Sequence, residues 1–175
     1  MYMKINELTE IKKRTPAHIP QGMATKKMYG TEAKVLEKLW DMKRPRSYKA
    51  NATLLKLLWD HYAPLYNVRR AMPDLEYGPG TMFGGRALSY TVTRGNGKPW
   101  LIQLAPGERN FYVLVHELVH ALGPNNHGVK FAKVYHDLLS HDMFQEFMNK
   151  PLGRQFLNFL KSEHPQFVRK AYRNR

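Results

Sequence analysis

The chain of 175 residues contains no cysteine, which excludes disulfides and thiolate metal sites. It holds no apolar run near the roughly 20 residues that a membrane-crossing helix requires. Its first residues show no secretory apolar segment. Gly78, Gly80, Gly84 and Gly85 lie close together, but no Gly-Lys-Ser/Thr follows them, so they do not form a phosphate-binding loop. Acidic residues are scarce, 14 against 28 lysines and arginines, which leaves a net charge of +14. These absences point to an intracellular, cytoplasmic protein (host cytoplasm if the gene is viral) with no membrane partner.

The positive charge is placed unevenly. Residues 1–50 carry 12 basic and 5 acidic side chains, residues 51–150 carry 10 and 8, and residues 151–175 carry 6 and 1. The two ends are therefore strongly basic and the middle is almost neutral. Basic arms suit a polyanion such as DNA or RNA, because each phosphate neutralised releases counterions. Solubility or an acidic protein partner explains the same charge, and no nucleic-acid-binding motif is visible.

A hydrophobic content of 43% supports one folded domain with a core. Residues 1–30, with Pro16, Pro20 and Gly22 and no sustained period, read as a basic, flexible arm. The domain is expected over 31–161, followed by a basic tail over 162–175. Thr31 can cap a helix over 32–43 that carries Val35, Leu36, Leu39 and Trp40 on one stripe. Asn51 or Thr53 opens a second helix, which Pro64 closes. Residues 87–93 and 100–104 read as strands joined through the turn Arg94-Gly95-Asn96-Gly97, hence as a hairpin. A helix follows over 110–122. The next, over 128–141, has a clear stripe of Phe131, Val134, Tyr135, Leu138 and Leu139, and shorter helical pieces are expected at 143–149 and 153–161. The fold class is therefore α+β, with helices packed on a small sheet.

The chemistry concentrates in His116-Glu-Leu-Val-His-Ala-Leu-Gly-Pro-Asn-Asn-His127. On a helix, His116 and His120 share one face about a turn apart. Gly123-Pro124 stops that helix, so the chain can turn back and bring in His127. Three neutral imidazoles leave a fourth tetrahedral position open, the arrangement of a catalytic rather than a structural zinc. The expected cofactor is one Zn2+ per chain on His116, His120 and His127, with Asp137 or Asp142 as the alternative to His127. Glu117 is placed to accept a proton from water attacking a carbonyl and to pass it to the leaving amine. Tyr112, Asn126, Tyr135 and Arg109 are the candidate donors to the developing oxyanion. Strand 100–104, if exposed, could pair with an extended peptide substrate; an interior strand fits its sequence equally well.

The string HELVHALGPNNHGVKFAKVY resembles the SprT-like family of zinc metallopeptidases, the zincin group that includes the Spartan-related protease core. The shared positions are His116, Glu117, His120, His127, Gly128 and Phe131. The resemblance covers roughly residues 31–142. It implies a minimal zincin-like domain around a central His-Glu-x-x-His helix, intracellular peptidase activity, and for several relatives action on proteins bound to DNA. The gap from His120 to His127 is shorter than in Spartan, and the cysteine zinc ribbon of many bacterial members is absent. A metzincin third histidine would fall at Asn126. Two other functions share these residues: a basic nucleic-acid-associated or assembly protein with a structural metal, and a zinc hydrolase acting on another bond.

The charge distribution carries its own test. Removing residues 1–30 and 168–175 is expected to weaken binding to DNA or RNA and to flatten its salt dependence. Binding isotherms over a salt series measure both. An unchanged slope would move the binding surface to the central arginines.

Overall fold

The computed structural model describes residues 31–32, 40–83, 86–95, 97–124 and 126–163. The proposed basic arm, most of the first predicted helix and nearly all of the basic tail lie outside these residues. Thr31 and Glu32 are helical, and helix α1 covers Trp40–Lys43. Helix α2 covers Tyr48–Leu65. It starts earlier than its leucine pattern suggests because the Ser47 side chain accepts a hydrogen bond from the Ala50 N–H and caps the first turn. Pro64 lies inside its last turn rather than after it.

Five short strands follow: β1 Asp74–Tyr77, β2 Thr81–Phe83, β3 Arg86–Leu88, β4 Tyr90–Val92 and β5 Leu101–Leu104. The predicted hairpin is present, with β4 antiparallel to β5 and Thr91 opposite Ile102. Two features differ from the sequence reading. Asp74–Tyr77 forms a strand parallel to β5, so the sheet order is β1-β5-β4 and β5 is central, not exposed. All four β5 residues are buried, as a strand covered on both sides requires. Ser89 interrupts the first predicted strand: its N–H donates to Glu108 and its hydroxyl accepts from the Ala105 N–H. Residues 86–88 pair instead with β2 in a separate two-stranded ribbon.

Helix α3 spans Phe111–Ala121, capped by the Asn110 side chain, which accepts from the Val113 N–H. Gly123 takes a φ of 140° just beyond it, a conformation that a side chain would strain. Helix α4 spans Val129–Leu139, and its predicted stripe of Phe131, Val134, Tyr135, Leu138 and Leu139 is entirely buried. A 3-10 turn at Asp142–Phe144 leads into the short α5, Gln145–Met148, and then into α6, Pro151–Glu163, which runs two residues past the expected domain end. The core joins Leu54, Leu55 and Leu58 of α2, Ile102 and Leu104 of β5, Leu114, Val115 and Leu118 of α3, the α4 stripe, and Phe156 and Leu160 of α6. The architecture is mixed α+β. Among the described residues no helix is long and apolar enough to cross a membrane.

A polar contact fastens α4 to α2. The Tyr66 hydroxyl donates to the Asp137 carboxylate, Lys133 Nζ lies 2.7 Å from the same oxygen, and the Tyr62 hydroxyl donates to the Asp137 carbonyl at 2.7 Å. Burial opposes the Asp137 charge, but the His136, Lys133 and Tyr66 contacts outweigh it and hold the carboxyl below its ordinary range. The side chain is a third exposed, so solvent screening tempers its contribution. Asp137→Asn is expected to cost about 1 kcal/mol at neutral pH. Because the folded-state pKa is depressed, that stability is present above the unfolded carboxyl pKa of about 4 and is lost as pH falls toward the folded value. Urea unfolding of both proteins at pH 7 and below pH 3 checks this. A gap that fails to narrow in acid would rule out the charged form as its source.

Candidate metal centre

Helix α3 presents apolar residues to the core and a second, polar face to α4 and β4. Leu114 through Val119 are all buried, so this polar face lies inside the protein as well. His116 is 5% exposed and Glu117 8%, while His120 and His127 are half-buried. The cluster is thus closed around His116 and opens toward His120 and His127.

The three predicted imidazoles converge. Each offers one ring nitrogen, and these nitrogens lie within 4.8 Å of one another. The Nε2 atoms of His116 and His127 are 2.9 Å apart. Tetrahedral coordination at 2.0–2.1 Å places ligand nitrogens roughly 3.3 Å apart, a spacing that lies between the 2.9 Å of this pair and the 4.8 Å limit of the cluster. The Phe131 ring underlies all three, with centroid distances of 4.9 Å to His116, 4.8 Å to His120 and 4.6 Å to His127. The helical stripe marks Phe131 as core and the SprT-like resemblance shares the position; the structure makes it the floor of the cluster.

Two of the rings are held through their Nδ1 atoms. His116 Nδ1 is 2.9 Å from Glu32 Oε1, and His120 Nδ1 is 2.9 Å from the Pro124 carbonyl. Donation of the Nδ1 proton in each case leaves the Nε2 lone pair for a cation. The turn that delivers His127 is fixed by Asn126, whose Oδ1 accepts from the Gly128 N–H at 3.1 Å. Burial, reinforced by the neighbouring His116, pushes His120 down to about 3. Burial with His116 and His120 pushes His127 down to about 2. Both rings are therefore neutral at physiological pH, the state a metal requires. For His116 burial opposes the charged form, but Glu32 and Glu117 more than offset it. The donor set fits a small divalent cation, and the group could hold a metal ion.

Glu117 neighbours His116 on α3 and interacts with its charge. The Thr91 hydroxyl lies 2.9 Å from its Oε2 and 2.8 Å from its backbone carbonyl, joining β4 to α3. Burial pushes the Glu117 carboxyl up, Glu108 and Glu32 add to this, and His116 and Thr91 only partly offset it. A carboxyl raised in this way is a better proton acceptor near neutrality.

Other sequence candidates fall elsewhere. Asp137 belongs to the α2–α4 contact and Asp142 accepts from Gln145, so neither joins the cluster. Tyr135 is completely buried among His116, Phe131 and Phe156, which removes it from the oxyanion candidates. The Arg109 guanidinium stacks over Tyr77. Tyr112 is half-buried one turn before His116 on α3. Glu32 and Thr91 are the two site residues that the motif did not indicate. No family model, curated protein or solved structure matches the chain.

His120→Ala and His127→Ala are each expected to lose most bound divalent metal while keeping helical content, since neither ring belongs to the fully buried core. Elemental analysis after metal loading and desalting gives the stoichiometry. Full metal retention in both variants would remove these residues as ligands.

Proposed function

We propose that this protein is a zinc metalloendopeptidase with a SprT-like, zincin-type centre. The observation that carries the reading is the position of Glu117: buried, next to His116 on the helix that carries two of the three convergent imidazoles, and oriented by Thr91. Among the described residues the cluster brings together three candidate ligands, the number typical of catalytic zinc, whereas structural zinc sites use four. Zinc bound there would supply Lewis acidity, polarising a carbonyl and acidifying water.

The remaining work falls to the side chains. Glu117 accepts a proton from the attacking water and returns it to the departing amine. Thr91 can serve both protonation states. Its hydroxyl donates to the ionised carboxylate; when Glu117 carries the proton, the carboxyl donates to Thr91 Oγ1 and the hydroxyl turns to the Glu117 carbonyl. The carboxylate is thereby kept in place through the cycle. Strand β4 forms the sheet edge nearest α3 among the described residues, and an extended peptide can add to it. That role passes to β4 from the central strand β5. Because main-chain pairing is largely sequence-independent, the substrate class is an extended protein segment. In this reading the basic ends gather the enzyme onto nucleic acid together with its protein substrates. Two central arginines that could otherwise serve as an alternative surface have internal partners: Arg70 stacks on Trp100 and donates to the Ala121 carbonyl, and Arg94 pairs with Asp74.

Glu117→Gln is expected to retain zinc and fold and to lose about 10²- to 10⁴-fold in turnover of an unfolded protein substrate. Cleavage is followed by gel and mass spectrometry with metal content measured in parallel. Turnover within a few-fold of wild type would assign the proton transfer to another group.

A further inference from the structure

We propose that Glu32 is a positioning residue of the metal centre: it orients His116 through Nδ1 and supplies the buried negative charge that a divalent cation on three imidazoles requires. The inference rests on the metal-centre reading above and adds a residue 84 positions away in the chain from the ligand it contacts.

Three observations converge on this role. First, Glu32 is 0% exposed, and its Oε1 lies 2.9 Å from His116 Nδ1. An acidic side chain withdrawn completely from water is costly unless paired, so its position calls for a compensating partner. Second, the buried polar and charged residues among those described are Glu32, Asn51, Gln103, Asn110, His116 and Glu117, with no lysine or arginine. Among the described residues no buried lysine or arginine answers these two acidic groups, and without a cation the His116 imidazole is the one buried basic group that Glu32 contacts. Three neutral imidazoles carry a divalent cation's full charge inward, and Glu32 with Glu117 would balance it. Third, the other Glu32 oxygen and the Tyr135 hydroxyl are both fully buried without a hydrogen-bond partner of good geometry. The Tyr135 ring stands edge-on to His116 with centroids 5.9 Å apart. Tyr135, excluded from substrate by its burial, is well placed to support the outer carboxyl.

Orientation and charge can be separated. Glutamine keeps an oxygen that can accept from His116 Nδ1 but removes the charge, whereas alanine removes both. Zinc affinity of the full chain is measured by chelator competition for wild type, Glu32→Gln and Glu32→Ala, and the cobalt(II) ligand-field spectrum is recorded for each. Circular dichroism and thermal unfolding of the metal-free proteins isolate any effect on the fold. Wild type is expected to bind one zinc, Glu32→Gln to bind about 10-fold more weakly, and Glu32→Ala about 100-fold more weakly with an altered cobalt spectrum. Equal zinc affinity and identical cobalt spectra in all three would overturn the role of Glu32 while leaving the metal centre intact. Failure of the wild type to bind zinc would remove both readings. Should either variant not fold, the imidazole tautomer of the zinc-loaded wild type decides. Nitrogen-15 NMR is expected to show His116 bound through Nε2 with its proton on Nδ1; coordination through Nδ1 would overturn the proposal.

Discussion

Helix α3 is buried along most of its length yet carries two histidines and a glutamate, and satisfying them governs much of the surrounding structure. A surface helix would have left His116, Glu117 and His120 to water. Here the second face of α3 is covered by α4 and β4, so each polar atom must find a protein partner or a cation. Thr91 extends from β4 to Glu117, Pro124 offers its carbonyl to His120, and Glu32 approaches His116 from a helix far earlier in the chain. The small sheet serves as more than a platform for packing. Central β5 anchors it in the core, and edge strand β4 holds the carboxyl of Glu117.

The segment between His120 and His127 shows how a short loop can meet several requirements together. Gly123 adopts a backbone angle that ends the helix, and Pro124 supplies the acceptor that fixes the His120 ring. Asn126 then closes the turn onto Gly128, where α4 begins. Three turns of chemistry, helix stop, ring orientation and helix start, thus occupy the distance between two ligands. Phe131, one turn into α4, rests beneath all three imidazoles. Its apolar ring keeps water from that side and adds to the burial that favours the neutral forms of His120 and His127, which couples core packing to the chemistry of the cluster.

Local chemistry explains what was legible in the sequence. The spacing of His116 and His120, the Gly123-Pro124 stop and the α4 stripe are all set within a few residues, and each appears where its pattern places it. The hairpin between β4 and β5 was legible for the same reason. Strand β1 was not: Asp-Leu-Glu-Tyr is short, and its parallel pairing with β5 depends on a partner 27 residues away. The central position of β5 follows from that pairing, so its sequence alone could not separate an edge strand from an interior one. Glu32 was hidden in a different way. A glutamate just after a capping threonine is ordinary helix chemistry, favourable to the dipole at an N-terminus, and nothing local reveals that it lies buried against His116. Thr91 likewise reads as one β-branched strand residue among several.

The same burial that prepares the site sets its thermodynamic cost. Holding His120 and His127 neutral and withdrawing Glu32 and Glu117 from water spends part of the stability supplied by the apolar core. A cation bound to the folded cluster and not to the unfolded chain returns some of that cost, about 2.7 kcal/mol when its free concentration is 100 times Kd. A metal held by these residues would therefore be linked to folding through α3, since the imidazoles converge only when the helix is covered on both faces. Shielding His120 and His127 from protons leaves their lone pairs available, and the acidic groups near His116 would make a cation's charge tolerable in the interior. The cluster opens toward His120 and His127, while the His116 side is the fixed wall, closed by Glu32, Phe131 and Tyr135.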